Sequence, residues 1–274
     1  MTRDERPEYL TPLQRFGHEV REVRRGRNIT QKGLGMATGY SEGYVSKVEK
    51  GTMMPSERFA QKCDLVFQTH GLFTRLREGI AESESPPWFV PYLQLEWTSA
   101  GIFDFSATSI MGIFQTEDYA RAIFRAGHPR ESPEVVHGKV VARMARRKLL
   151  EKPDPPMLWV VLHEACLRTL VGGRSVMAAQ LEHLLRSAES PAVDFQVIPF
   201  SAGAVAAHTN PFTLLTFESA PTVLYAGDPQ GGKMYRSSEL VTRFSQNCDR
   251  LRAHALAPDD SLTLIDQVRK EHLL

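Results

Sequence analysis

The chain has 274 residues, 42% of them hydrophobic and 24% charged, with a formal net charge of +1. That is long enough for two domains of ordinary globular composition, and no apolar run reaches the ~18 residues of a membrane span. Cys63, Cys166 and Cys248 form no CxxC pair, so neither a disulfide framework nor a cysteine zinc site is expected, and Met1 to Leu10 lacks the apolar core of a signal peptide, so a cytoplasmic location is expected.

The charge is unevenly spread. Thr11 to Lys62 holds ten Lys and Arg against five Glu, so a basic segment precedes a mildly acidic remainder. Met1 to Tyr9 is polar and reads as a loose arm. From Thr11, Leu13, Phe16, Val20 and Val23 recur at helical spacing, and Arg21, Arg24, Arg25 and Arg27 crowd the helix end. Cations there suit the helix dipole and also suit phosphate.

Thr30 to Gly51 has the pattern of two short helices joined by a tight turn. Thr30 and Ser41 are N-caps, Leu34 with Ala37 and Val45 with Val48 are inward pairs, and Gly39 supplies a positive φ. Gly33 and Gly35 sit inside the first helix, where each costs about 1 kcal/mol against Ala. The outward side carries Gln31 and Lys32, then Ser41, Glu42, Gly43, Tyr44, Ser46 and Lys47. In a helix-turn-helix these positions meet double-stranded DNA, phosphates first and base edges at the start of the second helix. Glu42 is an acceptor for cytosine N4 and repels phosphate.

These residues resemble the Xre/Cro (λ-repressor-like) helix-turn-helix family. The resemblance implies a five-helix domain over residues 1–80, a phosphate contact at Gln31, and base readers at Glu42, Gly43, Tyr44 and Lys47. Pro55-Ser56 and Gly71 punctuate the two further helices, the first with Phe59, Cys63 and Phe67 inward.

Ala81 to Pro87 reads as a linker, and a second domain is expected over residues 88–274. The aromatic run from Trp88 to Trp97 is expected to enter its core. Ile102 to Ser106 alternates as a strand, Thr116 caps a helix, and Ser132 to Lys152 is expected to form one long helix. Along that helix Lys139, Arg143, Arg146 and Arg147 form a basic row, read as a docking face for an acidic partner or as a second DNA contact. Leu158 to Leu162, Val193 to Ile198, Phe212 to Phe217 and Thr222 to Tyr225 read as strands, and Arg174 to Ala188, Ser238 to Leu256 and Pro258 to His272 as helices. The expected fold is therefore an all-α N-terminal domain followed by an α+β domain with a small, antiparallel sheet.

QTEDYARA, YLQLE, PDPPMLWVVLHEACLR and VIPFSAG are similar to the large C-terminal domain of actinobacterial Xre-type regulators of the WhiJ kind. That resemblance implies a small companion protein encoded nearby.

Enzyme signatures are incomplete. His163-Glu164 lacks the second histidine of HExxH, and GDPQGGKM, Gly227 to Met234, has Met where a P-loop needs Ser or Thr, so it reads as a glycine-rich hairpin. No cofactor or metal site and no catalytic residue is expected. The leading expectation is a homodimeric, sequence-specific DNA-binding transcription regulator whose C-terminal domain binds a companion protein or effector. The alternatives are a toxin–antitoxin-like interaction protein with autoregulatory DNA binding, and a nucleotide-binding enzyme built on the near P-loop.

Overall fold

The computed structural model describes residues 12–83, 89–205, 209–228 and 231–274. The N-terminal arm, Trp88 and the linker beyond Ser83 lie outside the described residues. The chain divides into two compact units, one formed by the residues up to Ser85 with Arg130–Ala142, the other by Pro86–Pro129 with Arg143–Leu274.

The first unit contains α1 (Pro12–Gly26), α2 (Gln31–Thr38), α3 (Glu42–Glu49), α4 (Glu57–Phe67) and α5 (Leu72–Ser83). Three of these start on a hydroxyl cap: Thr30 accepts from Gly33 N–H, Ser41 from Tyr44 N–H, and Ser56 from Phe59 N–H. Phe16, Val20, Leu34, Val45, Val48, Phe59, Cys63 and Phe67 are wholly buried in one core, against which Val141 also packs. Ala37, expected inside, is exposed; Thr38 is buried instead and donates its hydroxyl to Leu34 O at 2.7 Å. The cause is the abrupt end of α2. Gly39 adopts φ 81° and turns the chain, and Gly35 comes so close to Tyr40 O that a Cβ would lie 2.6 Å from it. Gly35 is thus the residue that permits the turn.

One buried ion pair joins three of these helices. Arg24 of α1 reaches Glu49 at the end of α3 through Nε–Oε1 (2.5 Å) and Nη2–Oε2 (2.9 Å), and its Nη1 donates to Ile29 O. Gln31 Nε2, at the start of α2, donates to the same Oε2 at 2.8 Å, while Arg21 donates to Glu49 O. Burial alone would raise the Glu49 carboxyl, but the hydrogen bonds from Arg24 and Gln31 and the charges of Arg24 and Arg21 hold it below its ordinary value.

In the second unit α6 (Val90–Thr98) leads into β1 (Gly101–Ser106), a 3-10 turn at Gly112–Phe114 and α7 (Glu117–Gly127). The expected long helix is shorter: α8 (Pro133–Ala145), which spans the division between units, gives way to a 3-10 turn at Arg146–Leu149. β2 (Met157–His163), α9 (Ala165–Arg168), α10 (Arg174–Ser187) and β3 (Val193–Ile198) follow. The chain closes with β4 (Phe212–Thr216), β5 (Val223–Asp228), β6 (Gly231–Tyr235), α11 (Ser238–His254) and α12 (Pro258–Leu273).

The α+β architecture is as expected, with a six-stranded sheet in the order β3-β2-β1-β4-β5-β6. β1 pairs antiparallel with β4, as do β4 with β5 and β5 with β6; β1–β2 and β2–β3 are parallel. Both faces of the central strands are covered, which is why LWVVL reads as an unbroken apolar run. Val160 and Leu162 face the core shared with Leu181 and Ile265, whereas Val161 and Phe105 face the one shared with Cys248 and Leu251. Of Gly227 to Met234, the described residues lie in β5 and β6, where Asp228 pairs with Gly231 and Gly227 with Gly232, and not at the strand-to-helix junction of a P-loop.

Replacing Glu49 with Gln leaves the Arg24 guanidinium buried without its counter-charge. We expect Glu49→Gln to lower stability by about 3 kcal/mol at pH 7 in urea unfolding. A carboxyl held low contributes above its unfolded pKa and loses that contribution as pH falls through the folded value, so the gap between variant and parent should narrow at pH 4.

Candidate nucleic-acid interface

The turn at Gly39 and the cap at Ser41 bring the start of α3 to the surface. Ser41, Glu42, Gly43 and Lys47 are exposed there, Ser46 is half-buried, and Lys32 is exposed on α2. Val45, Val48 and Glu49 are buried on the opposite face. The first turn of α3 thus presents backbone N–H groups, a hydroxyl and a carboxylate, with one lysine a turn further on.

Gln31 is half-buried. Its amide nitrogen carries two protons and the bond to Glu49 uses one, so the second is left for an outside acceptor. The ion-pair network therefore sets the side-chain direction of the residue expected to meet phosphate.

Tyr44 is a correction. Its ring stacks on Tyr40 at 4.4 Å and meets Phe59 edge-on at 5.2 Å, and its hydroxyl accepts from Ser56 N–H at 2.8 Å. It joins α3 to the start of α4 and is half-buried there. A tyrosine one residue before an inward valine has length enough to fold back over the core, which spacing alone does not register.

The four cations of the expected basic strip are all committed internally. Lys139 pairs with Glu131 at 2.5 Å. Arg146 holds Glu96 through two bonds, at 2.6 and 3.0 Å, with both side chains nearly closed to solvent. Arg143 donates to Gln115 Oε1 at 2.7 Å and lies over the Phe124 ring, and Arg147 donates to Gln115 O. The helix changes to a 3-10 turn at Arg146, beside the 3-10 turn at Gly112–Phe114, and these side chains meet Gln115 and Glu96 there. Each of the four thus has a bond within the protein.

Sequence reasoning passed over a polar cluster on the sheet. Asp104 of β1 is cross-strand from Thr213 of β4 and accepts from its hydroxyl at 2.8 Å and from Ser106 Oγ at 2.6 Å. The available signal was a carboxylate inside GIFDFS, at a strand position whose neighbours are all buried. Burial pushes the Asp104 carboxyl up to about 6, despite the hydrogen bonds from Ser106 and Thr213 and the charge of Arg146.

The capped helices, their αL turn and the outward start of α3 define a helix-turn-helix protein. A family model described as a helix-turn-helix domain matches residues 15–71. A second, described as a domain of unknown function (DUF5753), matches residues 89–267, and the chain belongs to that family. No curated protein and no solved structure matches the chain. No helix among the described residues is long and apolar enough to cross a membrane.

Because the Asp104 carboxyl titrates near 6 in the folded chain and near 4 when unfolded, its ionisation opposes folding at neutral pH and its protonation relieves that cost. Asp104→Asn should therefore stabilise the protein more at pH 7.5 than at pH 5, by a difference of about 1 kcal/mol in paired urea titrations.

Proposed function

We propose that the chain is a sequence-specific transcription regulator of the Xre/Cro kind, acting in the cytoplasm as a homodimer. The observation that carries this reading is α3: its first turn is capped by Ser41 and presents Glu42 and Gly43 outward, Lys47 is exposed a turn further on, and its end is held by Arg24–Glu49. Gln31 and Lys47 would contribute phosphate attraction, Lys32 a further cation, and Glu42 discrimination between bases. A single recognition helix buries little surface, so two copies would read two half-sites about one helical turn apart. The second unit would supply the pairing contact.

The resemblance of the second unit to WhiJ-like regulators supports a small companion protein as its partner. Lys139, Arg143, Arg146 and Arg147 lend that partner no support, since their bonds lie within the protein. The reading is of a binding protein and not an enzyme; it is supported by the antiparallel pairing of β5 with β6, which places Gly231 to Met234 in a strand where a P-loop would enter a helix.

Lys47→Ala should weaken binding to all DNA sequences and reduce the slope of log affinity against log salt by about one. Glu42→Gln should tighten non-specific binding and change base preference at one position. Fluorescence anisotropy with operator and random duplexes over a salt series reads both. Unchanged affinity in a Lys32→Ala, Lys47→Ala double variant with parental melting behaviour would sink the assignment. Sedimentation of the full chain as a monomer at micromolar concentration would remove the dimer.

A further inference from the structure

A cavity of about 270 Å³ lies within the second unit, where β1 ends and β4 begins. This is where the sheet changes from parallel to antiparallel pairing, since β1 has β2 on one side and β4 on the other. The strand order also reverses between β1 and β4, and crevices beyond the carboxyl ends of strands at such a reversal are where open α/β sheets commonly take ligands. Its size is at the small end for metabolite sites.

The lining has three kinds of group. One wall is aromatic: Phe89 stacks on Tyr92 at 4.9 Å, and Tyr225 lies 4.4 Å from Tyr92. A second is cationic, made by Arg143 and Arg146. The third is the sheet face itself, where Asp104 and Thr213 stand cross-strand, with Tyr225 next in the row.

The two guanidinium groups crowd the same glycine. A Cβ on Gly112 would lie 2.5 Å from Arg146 Nη1 and 3.0 Å from Arg143 Nη1. Only one of them has a counter-charge in contact. Glu96 takes Arg146 in a two-bond fork, whereas Arg143 bonds the neutral amide of Gln115 and, among the described residues, no carboxylate. Asp104 accepts from Ser106 and Thr213 and makes no ion pair with Arg143. Burial, and after it the neighbouring Arg146 charge, push the Arg143 guanidinium down to about 10. An arginine in this condition has unused donors in a planar fork that matches a carboxylate.

We propose that this cavity binds a small carboxylate with a flat, ring-like body, its carboxylate forked on Arg143, its ring on the Tyr92–Tyr225 wall and a hydroxyl or amine donor directed at Asp104. The ligand's anion would supply the charge that Arg143 lacks, and its donor would reach a lone pair that Ser106 and Thr213 leave open on the Asp104 carboxylate. The site extends the reading of the chain as a DNA-binding regulator by giving the second unit something to sense.

The test is calorimetric titration of the full chain with 4-hydroxybenzoate at pH 7, without DNA. The expected result is one site per chain with Kd of about 1 mM or tighter, and at least a roughly tenfold loss for the uncharged isostere 4-hydroxybenzamide. Arg143→Gln should weaken 4-hydroxybenzoate by a similar factor, Lys139→Gln should not, and Asp104→Asn should erase the preference for 4-hydroxybenzoate over benzoate. The comparison of acid with amide on the unaltered chain holds even if Arg143→Gln fails to fold. Absence of binding by both benzoate and 4-hydroxybenzoate at about 10 mM, equal binding of acid and amide, or unchanged binding by a folded Arg143→Gln variant overturns the proposal. Since DNA is absent, such a failure leaves the regulator reading standing, while ligand binding by a protein with no operator affinity would tell against that reading alone.

Discussion

Arg24 and Glu49 lie twenty-five residues apart and almost entirely out of water. A buried ion pair of this kind is weak evidence for net stability, because desolvating two charges costs several kcal/mol per ion before attraction is counted. Its effect is on position. The guanidinium is forked on the carboxylate and bonded to Ile29 O, the carboxylate also accepts from Gln31, and Arg21 takes the carbonyl of Glu49. α1, the entry to α2 and the end of α3 are thereby tied to one point. An apolar replacement of similar volume could pack as well, but would leave the rotation of α3 and the direction of Gln31 less determined.

The second unit repeats the device at a different scale. Glu96 of α6 and Arg146 of the 3-10 turn after α8 are fifty residues apart and nearly closed to solvent, and Tyr92 donates its hydroxyl to Glu96 at 2.8 Å. Gln115 has a comparable part: its carbonyl oxygens accept from Arg143 and Arg147, and its amide donates to Ile110 O. Gln180 adds two bonds, to Thr116 N–H and Phe114 O. The backbone between β1 and α7 has little regular structure of its own, so these side chains satisfy its polar groups in place of a helix or strand. The cavity beside Asp104 is bordered by this stretch.

The two tyrosines of the helix-turn-helix show how far side-chain length defeats a positional argument. Tyr40 and Tyr44 stack on each other, Tyr40 shares a hydrogen bond with Ser56 Oγ, and Tyr44 accepts from Ser56 N–H. Ser56 is also the cap of α4. A position on the outward side of a short helix therefore becomes part of the joint to the next one. Tyr44 is half-buried in that joint, while Ser41, Glu42 and Gly43 are exposed at the start of α3.

Periodicity, caps and turn residues by themselves determined the order of helices in the first unit, the N-caps Thr30, Ser41 and Thr116, the αL turn at Gly39, and the α+β character of the second unit. These are local properties: a hydroxyl three residues from an orphan N–H, a glycine where φ is positive, an apolar residue every third or fourth place. Tertiary structure alone decided what became of the charges. Lys139, Arg143, Arg146 and Arg147 look like a free strip until Glu131, Gln115 and Glu96 are placed beside them, the last two from distant parts of the chain. Parallel pairing of β1 with β2 was hidden for the same reason, since strand alternation records which face is buried and carries no record of the neighbour. A buried charge is tolerated only with a partner, and the partner is chosen by the fold.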